Sequence, residues 1–352
     1  MRAGKHESSE ISRRAFLSRA AALGLGLAIG PALSGACAPA GPPKPTAAPA
    51  AAPPSATSQA TSMPPPDSAP SAVPVVTTTS RPAAAYLAVT RGGDAETLVR
   101  RALAALGGME RFVQPGNDVI IKPNICSSAH TFEYAATTNP WVVGTLVQMC
   151  LECGAGRVRV MDNPFSGTAD EAYARSGIRE QVEAAGGKME IMSSFKFVPT
   201  ALPQGLDLRE LKIYDDVLNA DVLINVPIAK NHSLARLTLG MKNLMGTITG
   251  RSAIHQNMGQ RLADLTSRIR PALTVIDAVR ILTANGPTGG NLADVRQLDT
   301  VIASHDIVAA DAYAARLFEL QASALSYVLA GEKMGLGRSD LANVRVEEVD
   351  LG

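Results

Sequence analysis

Cysteine is scarce in this sequence, with four among 352 residues, and tryptophan occurs once. Cys37 sits in the N-terminal leader, so Cys126, Cys150 and Cys153 are left for the folded part. An odd count implies no complete disulfide framework. Cys150 and Cys153 form a CxxC, but they close the helical pattern Val143, Leu146, Val147, Cys150 ahead of Gly154, the placement of core or half-buried helix residues. Four thiolates for an iron–sulfur cluster or a structural zinc are not available from this chain alone. Aromatic residues make up only 4% of the chain, which supplies no platform for stacking bases. Charge of one sign is also missing. Taking the five basic and two acidic groups of residues 1–36 out of 33 and 32 leaves 28 basic against 30 acidic, a balance of about −2. No global basic field draws the protein to nucleic acid.

The longest apolar run, residues 20–33, is too short to span a bilayer as a mature helix. It follows Ser12-Arg13-Arg14-Ala15-Phe16-Leu17, a twin-arginine pattern, and the two together read as an export signal over residues 1–37. Twin-arginine export carries proteins already folded, which suits insertion of a cofactor before translocation. Leu33-Ser34-Gly35-Ala36-Cys37 resembles a lipoprotein cleavage box, with its aliphatic residue one place further from the cysteine than usual. Lipidation of Cys37 and ordinary cleavage after Ala38-Pro39-Ala40 both stay open. A single acyl chain tethers without spanning. Residues 38–84 are mostly Ala, Pro, Ser and Thr, a composition that cannot bury enough apolar surface to offset its ordering entropy. They are expected to form a disordered linker. The expected location is the periplasm or the outer face of the cytoplasmic membrane, reached through the twin-arginine machinery, with membrane contact only through the signal or a lipid.

Residues 85–352 are enough for one large α/β domain. Strands are expected at residues 86–90, 118–121, 157–161, 222–226, 273–276 and 300–303, with a weaker edge strand at 189–197. Asp94 and Asn139 are expected to cap helices, the second with Pro140 at its first position. Further helices are expected at 168–174, 178–185, 260–269 and 309–320, with Asp311 in the first turn of the last. Alternating strands and helices argue for a mainly parallel sheet covered by helices on both faces.

Chemistry concentrates in residues 221–255. A buried strand ends at Pro227, which cannot donate to a ladder. Lys230, Asn231 and His232 follow, then Thr238, Lys242 and Asn243 on an expected helix, then His255 after Gly246 and Gly250. Taken singly, these lysines read as solvated charges and His232 as a loop residue. Together they crowd one strand exit, where parallel sheets bind ligands. Lys122 and Asn124, Asp162, Asp277, and His305 with Asp306 also stand at expected strand ends. Asn285-Gly286-Pro287-Thr288-Gly289-Gly290 is either a simple flexible turn or a loop whose glycines let backbone amides approach an anion, and it lacks the ending of a Walker motif.

Lys122-Pro-Asn124, Asn225-Val-Pro-Ile-Ala-Lys230-Asn-His232, Thr238-Leu-Gly-Met-Lys242-Asn243-Leu-Met-Gly246, His255 and Gly286-Pro-Thr-Gly289 together resemble the family called domain of unknown function 362 (DUF362), over roughly residues 86–320. The resemblance sharpens fold and site but implies no particular reaction. Many members carry a ferredoxin-like segment with iron–sulfur cysteines. This chain lacks one, so the resemblance implies no cluster here.

The leading expectation is an exported protein with an anion-binding or metal-assisted acid/base site. Lys122, Asn124, Thr238, Lys242, Asn243, Gly286, Thr288 and Gly289 would hold a small anionic ligand, with Lys230, His232 and His255 as catalytic groups. Asp162, Asp277 and His305 are candidate ligands of a divalent metal. A second enzymatic reading borrows from nickel-dependent racemases, which use paired histidines and lysines beside a bound cofactor. The alternative is a lipid-anchored solute-binding or redox-partner protein without catalysis.

Overall fold

Apolar side chains at every second position give the central strands two greasy faces. In β2 (Asp118–Pro123), Val119 and Ile121 join one buried cluster while Ile120 joins another. In β10 (Leu273–Leu282), Leu273 and Val275 go with the first cluster and Ile276 and Ala278 with the second. Helices cover both sides. Ala95–Ala105, Pro140–Glu152 and Ile178–Ala184 pack on one face, and Met258–Arg268, Ile307–Ala315 and Ser326–Lys333 on the other.

The structure is a computed structural model and describes residues 84–352. The export signal, Cys37 and the linker up to residue 83 lie outside the described residues. The remaining strands are β1 (Leu87–Arg91), β3 (Arg157–Val160), β4 (Lys188–Met189), β5 (Phe197–Ala201), β6 (Glu210–Tyr214), β7 (Val222–Val226), β8 (Ile228–His232), β9 (Arg236–Thr238), β11 (Val295–Ser304) and β12 (Val346–Asp350). The main sheet runs β12-β1-β11-β10-β7-β2-β3-β4, with β8 beside β10 and β9 beside β8, while β5 and β6 form a separate hairpin. Pairings from β10 through β7, β2 and β3 to β4 are parallel, and β11 is antiparallel to both its neighbours. The protein is therefore α/β with a large, mostly parallel mixed sheet. Among the described residues no helix is long and apolar enough to cross a membrane.

Local signals place the helices. Asn139 accepts from the Trp141 amide at 3.0 Å, with Pro140 opening the helix behind it. Its side chain is buried, so Asn139→Ala is expected to cost about 1–2 kcal/mol, read as a lower urea midpoint. An unchanged midpoint would show that the cap carries no stability.

Several expected boundaries shift, each for a tertiary reason. The strand expected at 189–197 is only Lys188–Met189, and Phe197 opens the β5–β6 hairpin. Asp311 lies inside helix Ile307–Ala315, whose cap is Asp306, and serves a different helix described below. Pro227 ends β7 as expected, but a new strand, β8, opens at the next residue. The Pro227 carbonyl accepts from the Asp277 amide at 2.9 Å while the chain leaves β2 and runs on as β8 beside β10. This turn away from β2 opens the space in which the site lies.

Candidate functional site

At the carboxyl ends of β2, β3 and β7 the chain encloses a cavity of about 410 Å³. Lys122 comes from the end of β2 and Asp162 from just beyond β3. Lys230 and His232 lie on β8 itself, not after a strand, and Thr238 lies on β9 rather than a helix. Lys230 pairs directly with Thr238 across that antiparallel ladder, and opposed residues share a face. Lys242 and Asn243 sit on the short helix Gly240–Asn243, and His255 ends Ser252–His255.

The floor is a polar network. Lys122, 1% exposed, meets Asp162 at 2.8 Å and donates to Asn243 Oδ1 at 2.9 Å and to the Pro123 carbonyl at 3.0 Å. Asp162 also accepts from the amides of Ile125 (2.6 Å) and Asn163 (2.8 Å). Burial pulls the Lys122 ammonium down, and the Asp162 carboxylate opposes that pull. Asn243 accepts from Asn124 Nδ2 and donates to Asn225 Oδ1, each at 2.9 Å. Gly246 must be glycine here, because a Cβ would lie 2.0 Å from Asp162 Oδ1 and 2.4 Å from Lys122 Nζ.

Lys230 donates to Asn124 Oδ1 at 3.0 Å and to the Ala136 carbonyl at 2.6 Å. The Lys242 side chain has no hydrogen bond or ion pair among the described residues. Burial, then the charges of Lys230 and Arg251, push its ammonium down from 10.5 to about 8. Thr238 Oγ1 is buried without a partner among the described residues. His232 Nδ1 accepts from the amides of Leu234 (3.1 Å) and Ala235 (3.3 Å), which leaves the proton of the neutral ring on Nε2. Burial, then Lys242 and Lys230, hold His232 down to about 3, so it is neutral near pH 7. His255, exposed at the rim, is pulled below its ordinary value by partial burial and by Lys242.

Not every expected residue arrives. Pro287 lines the cavity, but Gly286, Thr288 and Gly289 do not. The loop amides are taken by other acceptors, Gly286 N–H donating to Asn231 Oδ1 on β8 at 3.1 Å and Gly289 N–H to the Asn285 carbonyl within the loop at 3.1 Å. Asp277 stands in mid-strand, where the amides of Asn139 (2.7 Å) and Val279 (3.0 Å) satisfy it and burial pushes it up to about 6. His305 follows β11, which runs antiparallel and so surfaces at the opposite edge, against the Tyr86 ring at 4.5 Å. Asp162, Asp277 and His305 are thus not one metal site. Among the described residues no group of three or more His, Cys, Asp or Glu is placed to hold a metal ion. The cavity residues do not fit a divalent cation either, since four cationic side chains face one carboxylate already paired with Lys122.

Other residues were missed. Arg251 lines the cavity, its Nε donating to the Met245 carbonyl at 3.0 Å and its Nη2 to the Asn163 carbonyl. It lies inside the 221–255 stretch, between Gly250 and His255, and was legible there as a further cation. Asp311 accepts from the amides of Gly240 (2.6 Å) and Met241 (2.9 Å), which anchors the helix carrying Lys242, and burial pushes it up to about 7. Nothing local signals that pairing. Phe165 and Leu234, 56% and 64% exposed, stand at the cavity edge, and Ile125 and Met245 line its wall.

A family model described as "Domain of unknown function (DUF362)" matches residues 119–316. The thylakoid-associated protein sll1697 of Synechocystis sp. is 27% identical over 247 residues, which cover 68% of this chain and 74% of that protein. The lactate racemase apoprotein from Thermoanaerobacterium thermosaccharolyticum is similar in structure at a TM-score of 0.37 and 13% identity, over 60% of this chain. The match spans 53% of the racemase, about half its length.

Proposed function

The chain belongs to the DUF362 family, and from that premise we propose that its cavity binds a small organic anion and serves acid/base chemistry on it. One observation carries the reading. Lys122, Lys230, Lys242 and Arg251 line a single cavity against one carboxylate, Asp162, and Lys242 Nζ and Thr238 Oγ1 have no hydrogen-bond partner among the described residues. Uncompensated buried charge is costly, and an anionic ligand relieves it. Lys230, Arg251 and, in its charged form, Lys242 hold the anionic group, while the Thr238 hydroxyl and the neutral His232 ring, from Nε2, donate hydrogen bonds to the ligand. His255, at the rim, exchanges protons with the bound molecule and solvent. Ile125, Met245 and Phe165 suit a ligand with an apolar portion. The twin-arginine segment at residues 12–17 supports export, which puts this chemistry outside the cytoplasm.

The test is calorimetric titration of the full chain with malonate and with phosphate across pH 6–10. Lys242 must be charged to hold an anion, so binding is present below about pH 8 and lost as pH rises through that value. Each further unit is expected to weaken affinity by about tenfold until the bound-state value is reached. Lys230→Ala is expected to weaken binding by about tenfold or more. Binding indifferent to both would remove the reading.

A further inference from the structure

We infer that Lys242 is an amine nucleophile that forms an imine with a carbonyl-bearing anion, a 2-oxo carboxylate, bound in this cavity. The inference rests on the anion-site reading and adds a covalent step to it.

The three cavity lysines are not equivalent. Lys122 donates to Asp162, Asn243 and a carbonyl, and Lys230 to an amide oxygen and a carbonyl. Such acceptors occupy N–H directions and stabilise the charged form, which has no lone pair to donate. Lys242 has no such acceptor among the described residues, yet its backbone is fixed. Asp311 receives the first two amides of its helix, and Asn243 next to it is bonded to Asn225 and Lys122. A rigid stem with an unengaged amine, beside like charges, describes an activated lysine nucleophile. The ammonium is already pushed down to about 8 by burial and by Lys230 and Arg251, so a fraction is neutral near pH 7.

The surroundings supply what the step requires. Lys230 and Arg251 attract the carboxylate of the substrate. The Thr238 hydroxyl, buried and unpaired among the described residues, is free to donate to the substrate's carbonyl oxygen. The neutral Lys242 lone pair attacks the carbonyl carbon, and the C=O π pair moves onto oxygen. That oxygen leaves as water with the two amine protons, and a C=N bond remains. No oxidant or reductant is consumed.

The experiment treats the full chain with pyruvate and sodium cyanoborohydride, then maps adducts by peptide mass spectrometry. Reduction fixes any imine as a secondary amine. Lys242 is expected to label about tenfold or more faster than the exposed Lys188 and Lys196, whose side chains are 69% and 50% exposed. Malonate is expected to slow that labelling, and Lys242→Arg to abolish it. Labelling of Lys242 no faster than of the surface lysines overturns the inference. Malonate titration of the wild-type chain separates the two levels of the argument. Binding without a Lys242 adduct overturns the imine alone, whereas absence of both overturns the anion site as well.

Discussion

Asp162→Ala is expected to destabilise the fold by about 3–5 kcal/mol, the range for breaking one half of a buried ion pair. Lys122 is 1% and Asp162 3% exposed, so water cannot take over the lost contact. The variant removes the carboxylate that lies 2.8 Å from the Lys122 ammonium and, with it, the acceptor of the Ile125 and Asn163 amides. Urea denaturation measures the loss. The double variant Lys122→Met/Asp162→Leu separates the two contributions, because it removes both ions together and is expected to recover the part due to the stranded charge, while the Ile125 and Asn163 amides stay without an acceptor. Gly246→Ala should mimic Asp162→Ala, since its methyl carbon would occupy the space between the paired ions. An unchanged midpoint in Asp162→Ala would mean that the pair is not formed in solution.

Lys242→Met is expected to act in the opposite direction on stability. The ammonium has no partner among the described residues and lies beside Lys230 and Arg251, so its removal should stabilise the fold by about 1 kcal/mol. Anion affinity should fall by about 2–3 kcal/mol, roughly thirty- to a hundred-and-fiftyfold, the worth of a hydrogen bond to a charged group. Urea midpoint and malonate titration, run on the same preparation, read both quantities. Stability held for function at this position is the signature of a binding group, since natural proteins keep such costs where activity needs them. A variant that loses stability would reveal an unseen partner for Lys242 and undo the argument.

Much of the scaffold can be read along the chain. Asn139-Pro140 announces its helix, and the β-branched runs at 118–121 and 222–226 announce buried parallel strands. The crowd of cations between residues 221 and 255 is visible as a crowd. Direction is what local sequence withholds. The run at 300–303 resembles the others, but its partners on both sides hold it antiparallel, and His305 surfaces at the far edge as a result. Asp277 shows the same blindness. An acidic residue after an apolar run looks like a strand end, while the amides of Asn139 and Val279 let it stay buried in mid-strand.

The sequence by itself determined the α/β layering, the helix caps, and which residue types are available for chemistry, because these follow from periodicity and from groups a few positions apart. Tertiary structure alone decided that Lys122 would be neutralised by Asp162 and Lys242 left without a partner among the described residues. It also decided that Asp311, 71 residues from Gly240, would anchor the helix that presents Lys242. Pairing across such separations depends on where burial brings backbone donors and charged side chains together, and no local pattern encodes that.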